Sequence, residues 1–240
     1  MTLFKQAENS ASRVNGTGRA ILMKSIAPSP PLRSRKTWGG ARNHGDRESA
    51  SIKALKAVEL VEAAQRASAI GLPFNRHLTV HWAKARLTDR EAAAATGRLI
   101  KLIRDWARKR GGDVAHAWVR ENGPGKGSHT HILLHIPEGL SLSLSRRWYR
   151  LATGWRGRVP KHAVKTVCIG GTARAGRSRS DWYQMNLARL LAYVLKGSNR
   201  EAGLGLGLDA WDEGGSIIGK RIAISANLSS DRPSRPVNDR

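Results

Sequence analysis

The sequence contains a single cysteine, Cys168, among its 240 residues. One thiol excludes an intramolecular disulfide framework and a zinc site made of thiolates, and it suits a reducing compartment. Long apolar runs are also missing, so neither a transmembrane helix nor an N-terminal signal segment is predicted. These absences predict a cytoplasmic protein with no membrane partner.

Acidic residues are few: 18 Asp and Glu stand against 42 Lys and Arg, which gives a formal net charge of +24. The excess is concentrated in residues 51–196, which hold 27 basic and 9 acidic side chains, whereas residues 197–240 hold six of each. A positive field of this size across a folded region favours a phosphate-rich partner. Nucleic acid fits better than an anionic membrane surface, because no membrane segment accompanies the charge.

Composition divides the chain into three parts. Residues 1–48 mix Ser, Gly, Pro and Arg without hydrophobic periodicity, which predicts a disordered basic arm. Residues 49–196 show the periodic patterns of one folded domain with a leading helix. Residues 197–240 are predicted to form a partly disordered C-terminal extension. Within it, the Gly-Leu repeat of 203–208 is predicted to be a loop, and residues 217–228 are predicted to contain an edge strand.

The domain is predicted to alternate strands and helices. Predicted strands cover residues 74–82, 114–120, 129–136 and 164–169, and predicted helices cover 49–69, 88–110, 141–153 and 180–195. The capping box from Thr88 to Glu91 marks the start of the second helix. The leading helix is predicted from the spacing of its apolar residues: Ile52, Leu55, Val58, Leu60 and Val61. After the leading helix, the order β-α-β-β-α-β-α predicts an α+β fold. It is an antiparallel sheet with helices packed on it, in the split βαβ arrangement of ferredoxin- and RRM-like domains.

A carboxylate and two histidines form the most distinctive cluster in the sequence. His129 and His131 are two apart on a predicted strand, so their imidazoles point to one face, roughly 6.5 to 7 Å apart along the chain. The glycine-rich segment 122–128 predicts a hairpin loop that returns Glu121 beside His129. Two imidazoles and a carboxylate predict an open site for Mg²⁺ or Mn²⁺. The alternative is a pair of histidines on an ordinary polar strand surface.

The remaining strand histidines have weaker claims on that site. His81 shares a predicted face with His77 and Thr79 and could reach the metal set from the first strand. His135 lies too far along the third strand to be a ligand. His116 is expected to be exposed.

Tyr193 and Lys196 are three residues apart near the end of the last predicted helix, so both side chains project from one face. A bound metal and an ammonium group would favour the phenolate form of a tyrosine and neutralise a phosphate that it attacks. The alternative is a core tyrosine, with a lysine that complements the helix dipole.

These three segments, in this order, resemble the HUH endonucleases, which include the rolling-circle replication initiators (Rep proteins) and related relaxases and transposases. The resemblance covers roughly residues 74–197. An apolar strand at 74–82 resembles the first family motif. Glu121, His129 and His131 match the second, and Tyr193 and Lys196 match the third. Thr130 departs from the usual bulky hydrophobe, and the third motif holds one tyrosine, as in the single-tyrosine subclass.

The resemblance implies a specific reaction. A divalent metal on Glu121, His129 and His131 would polarise a phosphodiester of a single-stranded or hairpin DNA origin. Tyr193 would attack it to form a 5′-phosphotyrosine link and free a 3′-hydroxyl, and Lys196 would position or neutralise the phosphate. The reaction would start rolling-circle replication of a plasmid or phage with a host polymerase. A helicase would also come from the host, since no ATPase motif is present.

Two alternatives remain at this stage: a transposase or mobilisation relaxase with the same chemistry, or a module that binds single-stranded nucleic acid without cutting it. Trp118 and Trp182 could stack on unpaired bases. The residues predicted to contact nucleic acid are Arg174, Arg177, Arg179, Lys126 and Arg76.

Overall fold

The computed structural model describes residues 47–170, 181–208 and 214–229. Nearly all of the predicted basic arm therefore lies outside the described residues. Three of the residues predicted to contact nucleic acid, Arg174, Arg177 and Arg179, also lie outside the described residues. Within the described ranges, no helix is both long enough and apolar enough to cross a membrane.

Seven strands and five α-helices make up the described chain. The strands are β1 (Glu48–Ser49), β2 (Arg76–His81), β3 (His116–Gly123), β4 (Gly127–Leu134), β5 (Val164–Cys168), β6 (Ile217–Ile218) and β7 (Ile222–Ile224). The helices are α1 (Ala54–Ala69), α2 (Asp89–Arg108), α3 (Ser145–Thr153), α4 (Asp181–Val194) and α5 (Arg200–Gly205). Strands β1 and β6 pair with each other, and the other five form the main sheet.

The main sheet confirms the predicted α+β class. Its strand order is β5-β2-β4-β3-β7, and every neighbouring pair is antiparallel. Strands β2 and β3 are therefore parallel to each other with β4 between them, and β4 and β5 are parallel with β2 between them. Both connections are split βαβ units, as predicted.

One face of the sheet is covered by α2 and α3. Side chains on β2 and β4 that face this way, including Leu78, Val80 and Ile132, are fully buried against the two helices. Helix α2 begins at the predicted capping box, in which Thr88 and Glu91 bond reciprocally. Thr130 also lies in this layer, and its hydroxyl accepts a hydrogen bond from Trp82 Nε1 at 2.7 Å. The polar residue at this position is thus satisfied within the core.

The opposite face is covered by α1, α4 and α5. Ala117 and Val119 of β3 and Leu133 of β4 form its apolar centre. Farther along the same strands the residues on this face become polar, where Glu121 lies opposite His129. The functional candidates therefore occupy one end of an otherwise apolar helix-covered face.

The predicted leading helix is confirmed as α1, and its buried stripe consists mainly of alanines with Leu60 and Val61, so that Leu55 and Val58 are 75% and 39% exposed. The expectation of a loop at the Gly-Leu repeat was wrong in part, because residues 203–205 belong to α5 and residues 206–208 follow it. The side chain of Asn199 caps this helix through a 3.0 Å bond from Ala202 N, and Leu206 and Leu208 after it are buried.

The described part of the C-terminal extension belongs to the same core. Strand β7, within the predicted edge-strand region, adds to the edge of the sheet next to β3. Asp89, at the start of α2, accepts hydrogen bonds from Ile218 N and from the fully buried guanidinium of Arg120. Residues 214–224 are therefore fixed against the hairpin that carries Glu121 and His129.

Candidate metal centre and adjoining pocket

The β3–β4 hairpin places the predicted ligands together. Its ladder extends to Gly123 and Gly127, so the connecting turn is shorter than the predicted loop. Gly127 has a φ of +62°, and a Cβ there would lie 2.7 Å from the Ala83 side chain, so only glycine fits without a shift. The register sets Glu121 directly opposite His129.

Three ligand atoms converge at this point. Glu121 Oε2 is 3.3 Å from His129 Nε2, and Glu121 Oε1 is 4.0 Å from His131 Nε2. All three residues are at most 3% exposed, and one ligand atom from each lies within 4.8 Å of the others. The cluster can hold a metal ion.

The hydrogen bonds of the imidazoles suit metal binding. His129 Nδ1 is 2.8 Å from Gly127 O, which can only accept, so Nδ1 carries a proton and Nε2 is the atom directed at Glu121. A proton on Nε2 would make it a hydrogen-bond donor to Glu121 Oε2 at 3.3 Å, and a metal ion could take the place of that proton. His131 Nε2 and Glu121 Oε1 are buried and have no hydrogen-bond partner among the described residues. These unpaired atoms are what a metal would satisfy.

The protonation states at neutral pH are those that bind a metal. Burial lowers the pKa of His131 to about 3; the charge of Glu121 opposes this, and the positive neighbours reinforce it. Burial raises the pKa of Glu121, but hydrogen bonds from His129 and Lys196 and the charges of His131 and Lys196 bring it down to about 2. A neutral imidazole and an ionised carboxylate are therefore both ready to coordinate.

Tyr193 and Lys196 lie beside this cluster. The ring of Tyr193 is 5.1 Å from the ring of His131, in an edge-to-face arrangement. The Lys196 ammonium bonds Glu121 Oε2 and lies 5.4 Å from the centre of the Tyr193 ring. The structure thus brings together the second and third groups of predicted residues, which are more than sixty positions apart in the sequence.

The other two tyrosines are engaged elsewhere. Tyr149 is buried and its hydroxyl donates to His81 O at 3.3 Å, while Tyr183 is buried and donates to Phe74 O at 2.9 Å. Burial raises the pKa of each to about 12. Tyr193 is 42% exposed, so it is the accessible phenol of the three.

A pocket of about 380 Å³ adjoins the cluster. Its lining residues are His77, Thr79, His81, Lys126, His129, His131, His162, Lys165, Val167, Leu190 and Tyr193. Burial lowers the pKa of His77 and His81 to about 4, so these rings are neutral at pH 7. The pocket is therefore lined by neutral imidazoles, one phenol and apolar groups, and the exposed Lys126 and Lys165 lie at its rim.

Among the ionisable lining residues, three were not predicted to belong to the site: His77, His162 and Lys165. His77 Nε2 is 3.2 Å from His131 Nδ1, so it supports a ligand directly. Its place on the face of His81 was predictable, but its contact depends on the β2–β4 register. His162 precedes β5 and has an unusual positive φ of 59°.

The predicted nucleic-acid residues have different positions. Lys126, in the hairpin turn, is exposed and lines the pocket. Arg76 is only 7% exposed and shares the β2 face of Leu78 and Val80, and its guanidinium donates to Asn75 O at 2.8 Å. Arg76 is therefore turned away from the pocket, because residues on a strand alternate between faces.

The remaining strand histidines were predicted with mixed success. His81 stacks on His129 with ring centres 5.2 Å apart, so it does reach the site. His116 was expected to be exposed but is 7% exposed, and burial lowers its pKa to about 4. His135 lies outside the site, with Nδ1 2.9 Å from Pro73 O.

A segment with two glycines, residues 214–216, packs against the β3–β4 hairpin. Asn122 N donates to Gly214 O at 2.9 Å, and Asn122 Nδ2 donates to Ser216 O at 3.2 Å. A Cβ on Gly215 would lie 1.9 Å from Asn122 O, which no side chain could tolerate. The segment therefore packs backbone to backbone against the residue that follows Glu121.

Comparison with protein-family models, with curated proteins and with solved structures gave no match. The function of this site must therefore be inferred from the chemistry of its own residues.

Proposed function

We propose that this chain is a metal-dependent endonuclease that nicks and rejoins single-stranded DNA through a 5′-phosphotyrosine link, as its resemblance to HUH endonucleases implies. The observation that most supports the proposal is the 5.1 Å contact between the rings of Tyr193 and His131. It puts the accessible phenol next to a residue that can bind a metal. A core tyrosine would be buried, as Tyr149 and Tyr183 are.

Glu121, His129 and His131 would hold the ion, and their two orphaned buried atoms fit that role. A divalent metal would act as a Lewis acid toward a phosphodiester oxygen and offset its charge. The carboxylate suits Mg²⁺ or Mn²⁺, while paired imidazoles favour Mn²⁺ of these two. We therefore propose Mn²⁺ or Mg²⁺ as the cofactor.

The proposed step is an in-line transesterification. Tyr193 Oη forms a bond to phosphorus while the bond from phosphorus to the 3′ oxygen breaks. The phenol loses its proton and the departing 3′ oxygen gains one, so the step has no net proton change. Because one phosphate ester replaces another, the reverse attack by the 3′-hydroxyl rejoins the strand.

Lys196 and Lys126 would offset the negative charge of the phosphate in this step. The Lys196 ammonium bonds Glu121 Oε2 and lies 5.4 Å from the centre of the Tyr193 ring, where its charge would offset that of a bound phosphate. Lys126 lies at the exposed rim of the pocket, where a strand would enter. Neither residue needs to move protons for the reaction to balance.

The proposed biological role is the start of rolling-circle replication of a plasmid or phage from a single-stranded or hairpin origin. A host polymerase would extend the free 3′-hydroxyl, and a host helicase would open the duplex. A transposase or mobilisation relaxase would use the same chemistry at a different DNA end.

The test is a covalent adduct. The protein is incubated with Mn²⁺ and a labelled pool of single-stranded oligonucleotides, and a denaturation-resistant protein–DNA band is expected. Tyr193→Phe should remove the band, and Tyr149→Phe should keep it, because Tyr149 is fully buried and does not line the pocket. Binding without any band would instead favour a non-catalytic single-strand binding module.

A further inference from the structure

Basic residues without acidic neighbours cover the surface of α3 and the segment after it. Residues 139–170 contain no Asp or Glu but seven basic residues, all of them exposed: Arg146, Arg147, Arg150, Arg156, Arg158, Lys161 and Lys165. None of the seven forms a salt bridge with a residue that the structure describes. Such a concentration of unpaired cations favours the binding of an anionic partner.

The helix dipole favours Arg150, in the last turn of α3, but not the other two arginines of this helix. Arg146 and Arg147 lie in its first turn, which has no acidic residue, and the helix dipole disfavours cations there. Arg150 is four residues after Arg146 and three after Arg147, so the three side chains are neighbours on one surface. We call Arg146, Arg147 and Arg150 the arginine face.

The arginine face lies away from the metal pocket but is linked to it by the chain. Helix α3 covers the sheet face opposite to the one that carries Glu121 and His129. Its own side chains Trp148 and Tyr149 are buried against that face. The segment after α3 then runs to β5 at the edge of the sheet, where Lys161 O accepts a bond from Lys84 Nζ at 2.6 Å. His162 and Lys165, which follow, line the pocket.

The pocket and the arginine face differ in their exposed aromatic residues, and therefore in the kind of nucleic acid that each can bind. Single strands are gripped by exposed aromatic rings on which bases stack. The pocket offers Tyr193 at 42% exposure, and Trp182, at the other end of the same helix, is 55% exposed. The arginine face offers cations only, since Trp148 is 4% exposed and Tyr149 is fully buried. Cations without a stacking surface contact phosphates and do not need unpaired bases.

We propose that the arginine face binds the phosphate backbone of double-stranded DNA next to the strand held in the pocket. This inference rests on the proposed function, because it assumes that the pocket takes single-stranded DNA. The preferred substrate would then be a hairpin or a junction with both a duplex and a single-stranded part. A single-stranded oligonucleotide would occupy the pocket alone.

The test compares Arg146→Gln/Arg147→Gln/Arg150→Gln with a control, Lys53→Gln/Arg200→Gln/Lys220→Gln. The control residues are exposed, unpaired with described residues and distant in sequence from α3. Binding of a blunt duplex and of an oligothymidylate is measured by fluorescence anisotropy, without metal, as salt rises from about 50 to about 200 mM. Loss of three phosphate contacts should reduce the slope of log affinity against log salt by about 2.7 for the duplex. Across that range, wild-type duplex affinity should fall about 40-fold more than that of the variant.

The proposal requires that the control behave as wild type, that oligothymidylate binding change little, and that the variant unfold thermally like wild type. Equal loss for both probes would overturn it in favour of a general strand track, and an unchanged duplex slope would overturn it outright. Adduct formation on single-stranded DNA is assayed in parallel. If wild type forms no adduct but the duplex slope changes as expected, the proposed function fails while the arginine face stands.

Discussion

Glu121 on β3 and His129 on β4 lie directly opposite each other, with Oε2 and Nε2 3.3 Å apart. The hairpin alone fixes this relationship, because only a short turn separates the two strands. The ligand set is therefore local, and it depends on the rest of the protein for its burial and its neighbours.

Substitution of both candidate histidine ligands should abolish DNA cleavage without abolishing DNA binding. We expect His129→Ala/His131→Ala to abolish Mn²⁺ binding and adduct formation while it leaves most of the salt-sensitive DNA affinity, since that affinity comes from distributed lysines and arginines. Isothermal titration with Mn²⁺ and anisotropy with DNA give the two readouts. His135→Gln, outside the site, is the control. Parallel loss of DNA affinity and cutting would point to a structural role for the pair.

Lys196 should act through its charge. Its ammonium helps to hold the pKa of Glu121 down, so Lys196→Met should raise that pKa and slow adduct formation. Lys196→Arg keeps a cation and should recover part of the rate. Single-turnover rates with saturating DNA measure the effect. If Lys196→Met and Lys196→Arg are equally slow, geometry rather than charge explains the role of this residue.

Gly215 should be intolerant of any side chain. A Cβ there would lie 1.9 Å from Asn122 O, so Gly215→Ala must displace the hairpin next to Glu121. We expect a loss of about 2 kcal/mol or more in the free energy of unfolding, together with weaker Mn²⁺ binding. Gly97→Ala, in the interior of α2 with open space around it, should instead stabilise by about 0.5–1 kcal/mol. Urea denaturation distinguishes them, and a Gly215→Ala protein with unchanged stability would contradict the packing.

Acid should destabilise the fold through His116. Burial lowers its pKa to about 4, whereas the unfolded chain has the ordinary value near 6.5. Between these values the unfolded state binds the extra proton, so the free energy of unfolding falls as the pH drops from about 6.5 to about 4. His116→Leu should flatten the dependence of the urea midpoint on pH over that window. Superimposable curves for variant and wild type would show that His116 does not contribute.

The sequence alone predicted those features of the structure that depend on residues close together in the chain. The α2 capping box, the β3–β4 hairpin and the alternation of β2 all follow from neighbours within a few residues. The same alternation that turned His77 and His81 toward the site turned Arg76 away from it, so that placement could also have been foreseen. The burial of His116 could not, because its neighbours include Ser225 after β7 and Arg104 of α2, and Ser225 is more than a hundred residues away in the sequence.

Longer-range features escaped prediction for physical reasons. The contact of His77 with His131 depends on β2–β4 register, and the place of Lys165 depends on β5 pairing with β2. Helix α5 forms in a glycine-rich segment because its cap and its burial against α1 outweigh a weak intrinsic preference. The spacing of apolar residues predicted helix α1 but not which of them are buried, because alanines form most of its buried stripe.

Peptide mapping of the adduct tests the central claim most directly. The protein is reacted with single-stranded DNA and Mn²⁺, digested with nuclease and protease, and analysed by mass spectrometry for a nucleotide-bearing peptide. We predict one modified residue, Tyr193, and no modification when EDTA replaces the metal. A nucleotide on any other side chain, or no modified peptide with any DNA pool, would contradict the account.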